Sequence, residues 1–127
     1  MNITELRNEL SHRLSLHIND EEGLTESWNK LTSILSENIS ETITFFLSQC
    51  TDEEFFWLSE VFSDVSARTQ SKEFVHALRI RLSKVTRDTY NQNNFTDNHM
   101  KEWVDYDEYI RSVNLEIEYA EGELSKE

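Results

Sequence analysis

A chain of 127 residues, 37% of them apolar and 11% aromatic, has the material for one hydrophobic core, and a core of that size needs neither disulfides nor a structural metal. Twenty-five acidic residues against twelve basic ones give a formal net charge of −13, a field that repels nucleic-acid phosphates and anionic lipid and draws cationic partners inward. Two glycines, no proline and a single cysteine, Cys50, exclude an intrachain disulfide and a CxxC site, and supply little of what hairpins and tight loops require.

From Asn2 to about His17, Ile3, Leu6, Leu10 and Leu14 recur at helical spacing, and Asn2 with Glu5 has the character of a capping box. The polar residues Asn2, Glu5, Arg7 and Glu9 are unlike a signal peptide, and no apolar run reaches the ~18 residues of a membrane span. The expected location is the cytoplasm. Asn19 to Gly23 reads as a turn. A second helical region spans Leu24 to about Gln49, its apolar face formed by Trp28, Leu31, Leu35, Ile39, Ile43, Phe46 and Leu47, with a break expected near Glu37. The β-branched run Thr42, Ile43, Thr44 has strand character but no partner strand elsewhere in the chain.

The next segment, Asp52 to Ala67, predicts one helix. Phe55, Leu58, Val61, Phe62 and Val65 fall on one face, while Glu53, Trp57, Glu60 and Asp64 cluster within about 60° of arc on the other side. Thr51 or Asp52 can cap this helix, which accounts for carboxylates in its first turn. It does not account for Glu60 and Asp64, four apart and mutually repulsive, nor for a tryptophan opposite the core. Thr69 to Ser71 reads as a turn and cap. Phe74, Val75, Leu78, Leu82 and Val85 form the buried face of the following helix, and Arg79, Arg81, Lys84 and Arg87 its outer face. Asp88 to Asn98 is rich in Asn, Thr and Asp, the composition of a mobile loop. A last helix is expected from a cap at Thr96 to about Ala120, with Trp103, Tyr106, Ile110, Val113 and Ile117 inward and Val104, Leu115 and Tyr119 on its far side among Asp105, Glu108 and Glu116. Residues 121–127 read as a frayed polar tail. The expected architecture is a single all-α domain over 1–127, a compact bundle of about five or six helices.

Two Glu-x-x-His pairs, Glu9 with His12 and Glu73 with His76, have the spacing used in di-iron four-helix proteins. Both lie off the apolar stripes of their helices and face water, so no metal or other cofactor is expected. Cys50 precedes a helix N-terminus, where a thiol pKa can fall, yet it follows Phe45, Phe46 and Leu47 and reads as a small buried apolar residue. There is no nucleophile elbow, phosphate loop or calcium loop, and enzymatic activity is not expected.

The stretch Trp57 to Val85, with Leu58-Ser59-Glu60-Val61-Phe62, Asp64, Gln70-Ser71-Lys72-Glu73-Phe74 and the apolar spacing through Leu78 and Leu82, resembles a helix–turn–helix segment of small bacterial immunity proteins of contact-dependent growth inhibition and other polymorphic toxin systems. The resemblance implies a cytosolic inhibitor that covers the active-site or substrate-binding surface of a cognate toxin domain. Such a domain is often a basic nuclease, an EndoU-like RNase being one candidate. The residues expected to meet the partner are Glu53, Trp57, Glu60 and Asp64, with Trp57 as anchor, and as a second face Asp105, Asp107, Glu108, Glu116 and Tyr119. The competing readings are a metal-binding four-helix protein or enzyme, and an acidic adaptor that mimics DNA charge.

Overall fold

The structure, a computed structural model, describes residues 1–92, 96–97 and 102–125. It is all-α apart from one two-residue ladder. Six helical units build the bundle: α1 (Ile3–Ser15), α2 (Glu21–Ser36), α3 (Ile39–Ser48), a bent unit of α4 (Asp52–Leu58) and α5 (Phe62–Thr69) joined by a 3₁₀ turn (Ser59–Val61), α6 (Lys72–Ser83) and α8 (Tyr106–Gly122). A short α7 (Arg87–Gln92) and the antiparallel pair β1 (Thr96–Asp97) and β2 (Glu102–Trp103) lie between α6 and α8.

Local chemistry sets most boundaries. Asn2, Asp20, Asn38, Thr51, Ser71 and Asp105 each accept a backbone N–H of the first turn that follows them, which satisfies donors a helix start otherwise leaves unpaired. At Thr51 the cap is reciprocal, because the Glu54 carboxylate returns to the Thr51 N–H at 3.0 Å. The expected break near Glu37 separates α2 from α3. The β-branched run 42–44 is helical, with the Thr42 hydroxyl donating to Leu35 O at 2.7 Å and tying α3 to α2. Gln70 ends α5 with φ 51°, a left-handed turn that redirects the chain into the Ser71 cap.

The core centres on Phe46, whose ring meets Phe45, Phe55, Phe62 and Phe74 edge-on at 5.5 to 6.1 Å between centroids, the geometry preferred by aromatic quadrupoles. Leu6, Leu31, Leu35, Leu58, Val61 and Leu78 fill the space around it. Across this core α5 packs on α8, α1 on α2, α3 on α6, and α2 on α5. The α5–α8 seam is pinned where the buried Ser66 hydroxyl donates to Ala120 O at 2.6 Å.

Five expectations are corrected. The stretch Asp52 to Ala67 is not one straight helix. The Ser59 hydroxyl donates to Phe56 O at 2.5 Å, competing with the backbone ladder, and the 3₁₀ turn winds each residue by about 20° more than an α-helix. Residues before and after the turn therefore leave a common face. Arg81 does not stand on an outer face but is buried, donating to Asp52 Oδ1 at 2.6 Å and Cys50 O at 3.0 Å. The last helix starts at Tyr106, because Asp105 caps it and Thr96 is paired in the ladder with Trp103. Its buried line is Tyr109, Val113, Ile117 and Ala120, with Tyr106 and Ile110 half-buried, while the Trp103 side chain lies outside the described residues. Nor is 121–125 frayed. Glu121 pairs with Arg79 at 2.6 Å, and the Gln70 amide donates to Glu123 O and accepts from the Ser125 N–H at 2.9 and 2.7 Å. Of the expected loop 88–98, the first part is helical in α7, held by the buried Tyr90, whose hydroxyl donates to Val104 O. Residues 93–95, 98–101 and 126–127 lie outside the described residues.

Candidate functional site, an acidic groove between the elbow and the last helix

The 3₁₀ elbow brings the ends of α4 and α5 against α8, and between them lies a cavity of about 310 Å³ lined by Phe56, Trp57, Ser59, Glu60, Ser112, Leu115 and Glu116. It joins the two faces that the sequence separated, since Glu60 belongs to one and Glu116 to the other.

The first expected face changes character. Trp57 is 7% exposed and cannot be a protruding anchor. It is covered by its neighbours, lying against the edge of the Phe56 ring at 5.1 Å and under the Arg13 guanidinium of α1 at 5.8 Å. Its indole N–H is nevertheless buried without an acceptor among the described residues, a state that costs roughly 1–3 kcal/mol. Glu60 is half-buried and already engaged. Arg13 grips it through two N–H donors at 2.8 and 2.7 Å, and the Trp28 indole donates to it at 3.2 Å. It is not the unneutralised carboxylate that its helix position implied. Glu53 and Asp64 are exposed, with no cation at ion-pair distance among the described residues.

On the second face, Asp105 is exposed and caps α8, its Oδ1 accepting the Glu108 N–H at 2.8 Å. Asp107 is exposed and pairs with Arg87 at 2.9 Å. Glu108 is half-buried. Leu115 and Tyr119, one turn apart, are 43% and 53% exposed, two of the three large apolar side chains left open on the described surface. Glu116 stands beside them. Its carboxyl is held above the ordinary range by burial first, then by the negative charges of Glu60 and Asp64. Charge that raises a neighbour's pKa is charge that a bound cation would relieve.

Phe56, Ser59, Ser112 and Leu115 complete the groove and were not among the expected site residues; only Leu115 carried a signal, as an apolar residue on the far side of its helix. A larger depression of about 640 Å³ follows α1 and α2, lined by Ile34 and by polar residues such as Asn2, Asn8, Asn29 and Lys30, with no aromatic among them. It holds no orphaned buried donor, and the smaller groove is the better site on that ground.

Other candidates resolve simply. His12 and His76 are exposed, the Glu9 carboxylate accepts from Ser27 Oγ at 2.8 Å, and among the described residues no group of three or more His, Cys, Asp or Glu is arranged to hold a metal ion. Burial pushes the Cys50 thiol well above its usual value, opposed only in part by Arg81, which removes the thiolate a nucleophile needs. No helix among the described residues is long and apolar enough to cross a membrane. No family model, curated protein or solved structure matches this chain.

Proposed function

We propose that this protein is a stoichiometric inhibitor of the immunity type, which binds a cationic toxin domain, covers its active-site or substrate-binding surface, and turns nothing over. The observation that carries the reading is the groove itself, which sets the half-buried Glu116, with no cation at ion-pair distance among the described residues, against Phe56, Trp57 and the exposed Leu115, with exposed Tyr119 one turn further along α8. Interfaces are commonly built this way, with aromatic and aliphatic anchors beside charge that steers the encounter. A net charge of −13 matches a protein whose own substrate is a phosphate backbone, because both present negative surface to the same cleft. The resemblance of residues 57–85 to immunity proteins points the same way. In this reading the protein works in the cytoplasm that the toxin would enter, and a basic nuclease is the favoured target.

The test is co-expression with the toxic domain encoded beside this chain in its genome. Growth restored by the parent, lost with D64K/E116K, and a complex whose association rate falls steeply with salt are the expected results. A neighbouring operon with no toxic product, or growth arrest that the parent chain does not relieve, defeats the proposal.

A further inference from the structure

The groove has the composition of an arginine receptor, and the chain itself shows how it works. Arg13 places its guanidinium on the Glu60 carboxylate and over the Trp57 ring, combining paired hydrogen bonds with a cation–π contact. Glu116, which lines the same cavity, has no cation at ion-pair distance among the described residues. The indole N–H of Trp57 is a second, independent vacancy in the bonding, a donor more than nine-tenths buried that requires an acceptor.

We propose that this groove takes one arginine side chain of the partner protein, its guanidinium pairing with Glu116 beside the aromatic wall of Phe56 and Trp57. The inference rests on the proposed function only for the identity of the protein that carries the arginine. Arginine fits better than lysine because a planar guanidinium can pair with a carboxylate and lie against a ring at once, whereas an ammonium ion offers a compact, strongly hydrated charge. Leu115 then covers the aliphatic stem. Asp64, close enough to act on Glu116, adds attraction without direct bonding.

The probe is the capped tripeptide acetyl-Gly-Arg-Gly-amide, titrated into ¹⁵N-labelled full chain while the tryptophan indole N–H signals are followed, with Trp57 assigned from W57F. The expected result is a saturable shift of the Trp57 signal with little movement at Trp28, reduced at least severalfold in E116Q and absent when citrulline replaces arginine. No shift at Trp57, an equal shift in E116Q, or an equal response to the citrulline or lysine peptide overturns the assignment. The titration contains no toxin. A groove that takes the peptide in a protein that neutralises nothing refutes the proposed function alone, whereas neutralisation that survives E116Q together with a silent titration refutes only the arginine site.

Discussion

Replacing Arg81 by methionine tests the interior electrostatics of the fold most directly. Its guanidinium is 9% exposed and meets Asp52, itself 16% exposed, at 2.6 Å. It also donates to Cys50 O at 3.0 Å and lies 5.2 Å from the Phe55 ring centre. Removing one member of a buried pair costs about 3–5 kcal/mol, because the other charge is left without compensation. Here the orphan is Asp52, the first residue of α4, where the positive helix end returns roughly 0.3–1 kcal/mol. The Cys50 carbonyl loses a charged donor, about 1 kcal/mol more, and methionine retains much of the packing of the arginine stem. The net expectation is a loss of about 4 kcal/mol, or about 15 °C in Tm for a domain of this size. Urea and thermal unfolding of R81M, D52N and the double variant, followed by circular dichroism, would measure it. The double variant should be more stable than the sum of the two single losses implies, with a coupling of about 2 kcal/mol. A loss below about 1 kcal/mol in R81M, or strict additivity, would mean that the pair is a surface-like contact and that the burial argument is mistaken.

E116Q should stabilise the protein increasingly as pH rises. The Glu116 carboxyl titrates near 4.5 when free and higher in the fold, so its contribution is complete below that value and is lost as pH climbs through the raised one. Parallel unfolding midpoints for parent and variant between about pH 4 and about pH 7 would contradict this. T51A removes the capping box at the start of α4 and should cost about 1 kcal/mol in urea unfolding; an unchanged midpoint would show the cap to be redundant. Gly23 lies in the first turn of α2, where an added Cβ would collide with the Asp20 carboxylate. The usual gain of about 1 kcal/mol for Gly→Ala in a helix should be cancelled by displacement of the Asp20 cap, so a full gain in G23A would argue that the cap contributes nothing. Cys50 should react with an aromatic disulfide reagent at least about tenfold more slowly in the native protein than in urea, since burial holds its thiol protonated; equal rates would place the thiol in solvent.

Helix starts and inward faces were legible because both are local. Asn2, Thr51 and Ser71 announce their helices by side-chain chemistry within three residues, and the stripes Leu6–Leu10 and Phe74–Leu78–Leu82 follow from a period of about 3.6 and are buried in the fold. The elbow was not legible, because a serine that bonds back to its own helix looks in sequence like any solvent-facing serine. Nor could the pairing of Arg13 with Glu60 or of Arg81 with Asp52 be read, each joining residues from different helices. Periodicity states which face of a helix is apolar and is silent about which element arrives at the other. The candidate site shows the same division. Glu116, Tyr119 and Asp64 were found as polar or aromatic residues on outward faces, while the burial of Trp57 and the neutralisation of Glu60 depended on α1 and α8 arriving where no local signal places them.

The Ser66 to Ala120 hydrogen bond gives the groove a property that its lining residues do not possess. The two walls come from stretches half the chain apart, and that bond fastens α5 to α8 further along the same seam. A change of volume in this hidden seam would open or narrow the receptor while leaving every surface residue intact. Recognition in such a protein can be retuned from below, by substitutions that no inspection of its exterior would flag.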